Sequence, residues 1–121
     1  MKIQGFYINL ASATARAEHM EAEARRLDLP FLRIPAVDGR ALTAEAIDAL
    51  HSPAEGMHRL SGPEVGCFLS HREAWRQIAE SGMSFGAVFE DDLTFADDAR
   101  HLLNDDTWLP PNVDILKIET T

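Results

Sequence analysis

The spacing of hydrophobic positions changes several times along the chain, and each change marks an element. Ile3 to Leu10 is a nearly continuous apolar run, rich in the β-formers Ile3, Phe6, Tyr7 and Ile8 and broken by Gln4 and Asn9. Such a run predicts a strand covered on both faces. Ser12 or Thr14 is placed to cap a helix that continues to about Leu27, with Met20, Ala24 and Leu27 on one face and Pro30 as its stop. Phe31 to Ile34 predicts a second short strand. A strand-helix-strand opening of this kind points to a parallel α/β unit.

Pro35 to Arg40 reads as a loop with Asp38-Gly39 as its turn signal. Thr43-Ala44-Glu45 begins a short helix ending near His51, and Ser52 to Leu60, with Pro53 and Gly56, reads as irregular. Ser61 and Glu64 have capping-box spacing, and Pro63 suits a first turn, so a long helix is predicted from Ser61 to about Glu80 with Gly82 as its stop. On a helical wheel Cys67, Ala74, Trp75 and Ile78 form its apolar arc, with His71 in the middle. Phe85 to Phe89 predicts a strand that runs into Glu90-Asp91-Asp92. A weak helix follows around Asp98 to Leu103, and Val113 to Ile118 reads as a last strand.

Length narrows this to one domain, since 121 residues cannot support two full cores. A hydrophobic fraction of 45% is that of an ordinary globular chain rather than a disordered one. The formal charge of −9 and the scattered basic residues argue against a nucleic-acid partner. They do not exclude a phosphorylated ligand, because a bound cation reverses the local sign. A single cysteine, Cys67, permits no disulfide within the chain and no cysteine-based metal site. No stretch approaches the ~20 apolar residues of a membrane span, and the short run before Ala11-Ser12-Ala13 reads as a strand rather than a signal peptide. A cytoplasmic protein is expected.

Four features carry candidate chemistry. The acidic triplet begins at the C-terminal end of an apolar strand, where open α/β sheets bind ligands. Alternation along extended chain puts Glu90 and Asp92 on one side and Asp91 on the other. A hard divalent ion commonly takes one or two carboxylates plus substrate phosphates; equally, three acids can simply begin a solvated loop. His71 needs a partner on a buried face, which makes it either a core histidine bonded to a carbonyl or, with Ser70, part of a site floor. Asn9 ends a strand and Arg16 follows on the helix, so they suit turn chemistry or contacts to ribose and phosphate. Asp38-Gly39 is either a plain turn or a loop against a nucleotide.

Together these segments resemble glycosyltransferase family 25, the lipooligosaccharide-biosynthesis transferases. The resemblance runs in order through Tyr7-Ile8-Asn9-Leu10, Arg16 and Met20, Pro35-Ala36-Val37-Asp38-Gly39, Glu64-Val65-Gly66-Cys67-Phe68-Leu69-Ser70-His71 with Trp75, Val88-Phe89-Glu90-Asp91-Asp92 and Asp114-Ile115-Leu116-Lys117. It implies a GT-A-like (Rossmann-like) α/β fold, with a mixed, mostly parallel sheet flanked by helices. It also implies inverting transfer of a hexose, galactose or glucose, from a UDP-sugar to a saccharide acceptor of lipooligosaccharide, with Mn²⁺ or Mg²⁺ as cofactor. By this likeness Asp92 is the direct metal ligand and Glu90 assists the metal or contacts the ribose. Asn9, Arg16, Asp38 and Gly39, and Asp91 within the triplet, lie near the nucleotide, and Glu64, Ser70 and His71 lie near the donor sugar or behind the metal.

Two departures accompany the resemblance. Ala11 and Ser12 stand where the family usually has charged residues, so no polar role is expected there. The family is about twice as long, so a truncated, donor-binding half is expected, without the general base that an inverting transfer needs. That expectation carries two others: self-association through a surface the truncation exposes, and peripheral association with the inner face of the membrane through the acceptor. Two other functions fit the same residues: a non-catalytic remnant that keeps the fold as an interaction module, and a metal-dependent hydrolase using the same acids.

Overall fold

The computed structural model describes residues 2–119. Its strands are β1 (Gln4–Asn9), β2 (Leu32–Pro35) and β3 (Gly86–Phe89), and its helices are α1 (Thr14–Leu27), α2 (Ala44–Leu50), α3 (Gly62–Ser81) and α4 (Ala99–Asn104), with a 3₁₀ turn at Gly39–Ala41. The sheet order is β2-β1-β3, and both pairings are parallel. Phe6 of β1 stands opposite Leu32 on one side and Val88 on the other.

The nearly continuous apolar run of β1 is explained by burial on both faces. Tyr7 packs with Met20 and Leu27 of α1 and with Phe89, whereas Phe6 packs with Ile34 and with Ala74 of α3. Helices therefore cover opposite faces of a parallel sheet, the α/β layering that the strand-helix-strand pattern predicts. Ile34 and Met20 are fully buried, and truncating either to alanine would cost about 2–5 kcal/mol. Among the described residues no helix is long and apolar enough to cross a membrane.

Helix ends follow local chemistry. Ser61 and Glu64 form the expected capping box, with Pro63 in the first turn and Gly82 closing the helix at φ 79°. Thr43 caps α2 through its hydroxyl. At α1 the outcome differs from expectation: Ala13 is the cap residue and no side chain caps the helix, so neither Ser12 nor Thr14 serves. The α1 end is set by Asp28 in the left-handed conformation (φ 53°), two residues before Pro30.

Two further expectations are corrected. The buried stripe of α3 is Val65, Gly66, Ser70 and Ala74, while Cys67 is exposed and Trp75 is 46% exposed. The buried stripe lies about one position from the apolar arc because Gly66 and Ser70, which carry little hydrophobic signal, face the crowded side. Val113 to Ile118 forms no strand. None of its residues pairs with the three-stranded sheet, and Ile115, Leu116 and Ile118 are exposed; an apolar run becomes a strand only where another strand takes up its backbone hydrogen bonds.

Candidate functional site

The strand order itself locates the site. Chain passes from β1 outward to β2, then returns across β1 to β3 on the other side. Ligands of open α/β sheets bind at the carboxyl ends of the strands where the connections diverge in this way. Here that point lies between the ends of β1 and β3. Tyr7 stands opposite Phe89, so two residues further on Asn9 meets Asp91.

Asp91 is 8% exposed and Asn9 is 2% exposed. The Asn9 Nδ2 group donates to Asp91 Oδ2 at 2.9 Å and to the Ala13 carbonyl at 3.0 Å. Arg16 Nη1 donates to Asp91 Oδ1 at 3.3 Å. A buried carboxylate needs such partners. Glu90 and Asp92 are exposed, so the triplet divides as strand alternation predicts. Asp91 is tied into the protein, and its two neighbours face solvent.

The exposed acids line a cleft of about 350 Å³ together with Arg16, Asp38, Gly39, Arg40, Cys67, His71 and Asp91. Its loop wall is built by close packing. A Cβ on Gly66 would fall 2.8 Å from Cα and N of Gly39 and 2.8 Å from the Val37 carbonyl oxygen. Glycine at these positions therefore lets the 3₁₀ turn lie against the backbone of α3. Ser70 adds a tether: its hydroxyl accepts from the Val37 amide at 2.9 Å and donates to the Gly66 carbonyl at 2.7 Å. Asp38 caps the 3₁₀ turn, accepting from the Arg40 amide and from its guanidinium. The hydrogen bonds from the Arg40 side chain, with the amide bond and charge adding, hold the Asp38 carboxyl below its ordinary value.

His71 is only partly buried and is not a core histidine, although its ring does bond a backbone carbonyl. Its Nδ1 donates to the Cys67 carbonyl at 2.9 Å, and its ring lines the cleft. In the neutral ring that bond puts the proton on Nδ1 and leaves Nε2 able to accept. Ser70 lies beneath the wall rather than on it. Glu64 is not among the lining residues: its carboxylate accepts from the Ser61 amide in the capping box, which holds its pKa below the ordinary value. Gly39 is present as a packing residue, without a side chain to offer a ligand.

Sequence reasoning missed Arg33, Arg40, Gly62 and Gly66. Arg33 Nε donates to Asn9 Oδ1 and its Nη2 to the Asn9 carbonyl, each at 2.9 Å. An arginine inside a four-residue strand was the available signal. A second cleft, of about 340 Å³, is lined by Asn9, Thr14, Glu18, Glu21 and Arg33 among others, and it lacks the acidic strand end.

Among the described residues, no three His, Cys, Asp or Glu side chains come together as a metal site of their own. The exposed pair Glu90 and Asp92 fits a different arrangement, in which a hard cation takes one or two protein carboxylates and fills its shell with phosphate oxygens.

Residues 2–116 match the profile of Glycosyltransferase family 25 (LPS biosynthesis protein). The chain is 34% identical to the lacto-N-neotetraose biosynthesis glycosyltransferase LgtE of Neisseria meningitidis serogroup B, over 98% of this chain and 44% of that protein. It is 37% identical to procollagen galactosyltransferase 1 of Danio rerio over 74% of this chain and 16% of that one. It is 34% identical to inactive glycosyltransferase 25 family member 3 of Mus musculus over 81% of this chain and 18% of that one. The chain spans less than half the length of each of these relatives.

Proposed function

Because the chain belongs to glycosyltransferase family 25, we propose that it is the donor-binding portion of a metal-dependent hexosyltransferase. The observation that carries this reading is the Asn9–Asp91 bond across the divergence point of the sheet. It fixes an acidic turn whose outer members, Glu90 and Asp92, face a cleft shared with Arg16, Asp38 and His71. In this reading the donor is a UDP-sugar carrying galactose or glucose, and transfer inverts the anomeric centre. The acceptor is a saccharide of lipooligosaccharide, reached in the cytoplasm at the inner face of the membrane.

Asp92 would hold a Mn²⁺ or Mg²⁺ ion directly, with Glu90 assisting or meeting the ribose. When bound, such an ion neutralises charge on the departing diphosphate. The chain's own residues do the rest of the positioning. Arg16, exposed over most of its side chain, reaches phosphate while one guanidinium nitrogen stays on Asp91. Asp38 and Arg40 form a paired polar edge for the nucleoside. His71 Nε2 accepts a hydrogen bond from a sugar hydroxyl. The names of LgtE, a glycosyltransferase, and of the zebrafish galactosyltransferase support hexosyl transfer as the chemistry. Self-association through the exposed Ile115, Leu116 and Ile118 belongs to the same reading.

Calorimetric titration of the chain with UDP and UDP-sugars tests the proposal. Saturable binding is expected with Mn²⁺ or Mg²⁺, weakened at least tenfold by EDTA or by Asp92→Ala. No binding with metal present, or unchanged binding in Asp92→Ala, sinks it. A second reading, a non-catalytic member, takes support from the mouse relative named inactive. Labelled-sugar assays separate the readings: product on a saccharide acceptor marks a transferase, free sugar without acceptor a hydrolase, and donor binding with neither a non-catalytic member.

A further inference from the structure

The Asn9 carboxamide is buried, and its oxygen and both of its N–H groups are hydrogen-bonded. Both Nδ2 protons are donated, to Asp91 and to the Ala13 carbonyl. Its Oδ1 accepts from Arg33. An amide can be turned end for end with little change in shape, so something must choose its orientation. The neighbours choose it by chemistry. A guanidinium can only donate, whereas a carboxylate and a carbonyl oxygen can only accept. Turning the amide over would set donor against donor at Arg33 and acceptor against acceptor at Asp91.

We propose that Arg33 is a positioning residue for the donor site: its two-pronged grip on Oδ1 and the main-chain carbonyl of Asn9 locks the carboxamide so that Nδ2 holds Asp91. This rests on the reading of Glu90 and Asp92 as the metal-facing pair. Asp91 sits between them, and its carboxylate is anchored by Asn9 on one oxygen and by Arg16 on the other. The direction of the acidic turn therefore depends on a chain of contacts that starts on β2, at a side chain lining the second cleft and not the first. Lysine cannot reproduce this grip, since an ammonium is a point charge without the planar fork whose Nε and Nη2 donate to Oδ1 and the main-chain carbonyl of Asn9 together.

The test uses the whole ¹⁵N-labelled chain. In the wild type the Asn9 side-chain amide should give two separated, exchange-protected proton signals. Arg33→Met should move both signals toward the positions of a solvent-exposed carboxamide and speed their exchange while the backbone spectrum away from β1 and β2 is retained. By calorimetry the same variant should bind UDP about tenfold more weakly with Mn²⁺ present and equally well in EDTA. Arg33→Lys should fall between, and added methylguanidine should restore part of the loss in Arg33→Met. Unchanged Asn9 amide signals in both variants overturn the proposal, as does an equal loss of UDP affinity with and without metal. If the wild-type chain binds no UDP with metal, the donor-site reading fails, and the Asn9 signals alone then decide the role of Arg33.

Discussion

Replacing Gly39 by alanine tests how the cleft wall is made. The new Cβ would overlap the carbonyl group of Gly62 and come 2.6 Å from Cα of Pro63. Carbon atoms in ordinary contact lie about 3.5–4.0 Å apart. Every atom it meets is backbone, so no rotamer change relieves the clash, and the 3₁₀ turn must move off α3. The φ of Gly39 is not positive, so space alone and not backbone conformation is at issue. Overpacking of this kind costs about 1–3 kcal/mol. Alanine recovers about 0.4–1 kcal/mol by restricting the unfolded chain, which leaves a net loss of about 1.3 kcal/mol at the midpoints of the two ranges. For a domain of this size that lowers the melting temperature by about 4–8 °C, measured by circular dichroism at neutral pH. Gly66→Ala intrudes on the same interface from the other side. Since either change displaces the loop, the double variant should lose less than the sum of the two. A Gly39→Ala protein that melts within about 1 °C of the wild type would refute the packing argument.

Glu23 accepts from Arg26 and from the Phe95 amide, and these bonds hold its pKa at about 2 against an ordinary 4.5. Because the folded value is depressed, this stabilisation is complete above pH ~4.5 and is lost as pH falls toward 2. Urea titrations should therefore show Glu23→Gln less stable than wild type by on the order of 2 kcal/mol at pH 7, with the gap closing below pH 3; a gap that is constant with pH contradicts this. Ser61→Ala removes half of the capping box and should cost about 1 kcal/mol, seen in chemical denaturation; an unchanged midpoint would mean the cap is idle. Asp91→Ala leaves a buried Asn9 Nδ2 proton without an acceptor and should cost about 1–3 kcal/mol, whereas Asp91→Asn, which keeps an acceptor oxygen, should cost less. Equal losses in the two would show that the Asn9 bond is not what matters.

How much of this was legible in the sequence depended on the range of the interaction. Local signals carried well. The Ser61/Glu64 box, Pro63 and Gly82 act within one turn of helix, and both ends of α3 lie where they put them. The run Ile3 to Leu10 required two covered faces, and β1 has them. Contacts between distant segments carried poorly. Gly66 looked like a neutral helix position, yet its missing side chain is what admits Gly39. Glu64 belongs to a motif shared with site residues, yet its carboxylate is engaged by the amide of Ser61 three residues earlier. Val113 to Ile118 has the composition of a strand, but strand formation depends on a neighbouring edge that composition cannot report.

The acidic triplet combines both situations. Alternation along the chain was enough to separate Asp91 from Glu90 and Asp92, yet which side faced inward depended on Asn9, 82 residues earlier. The outcome bears on function. The three acids are treated differently by the fold. Asp91 is offset internally by Arg16 and Asn9. Glu90 and Asp92 make no side-chain hydrogen bond or ion pair among the described residues, and both are exposed on the cleft wall. On the proposed reading, a cation bound there would take up carboxylates that no side chain of the described residues engages. Neutralising either outer acid should thus leave the fold as stable as before or more so while weakening metal-dependent binding, and neutralising Asp91 should weaken both. That difference in sign separates a built cation site from three acids that merely begin a loop.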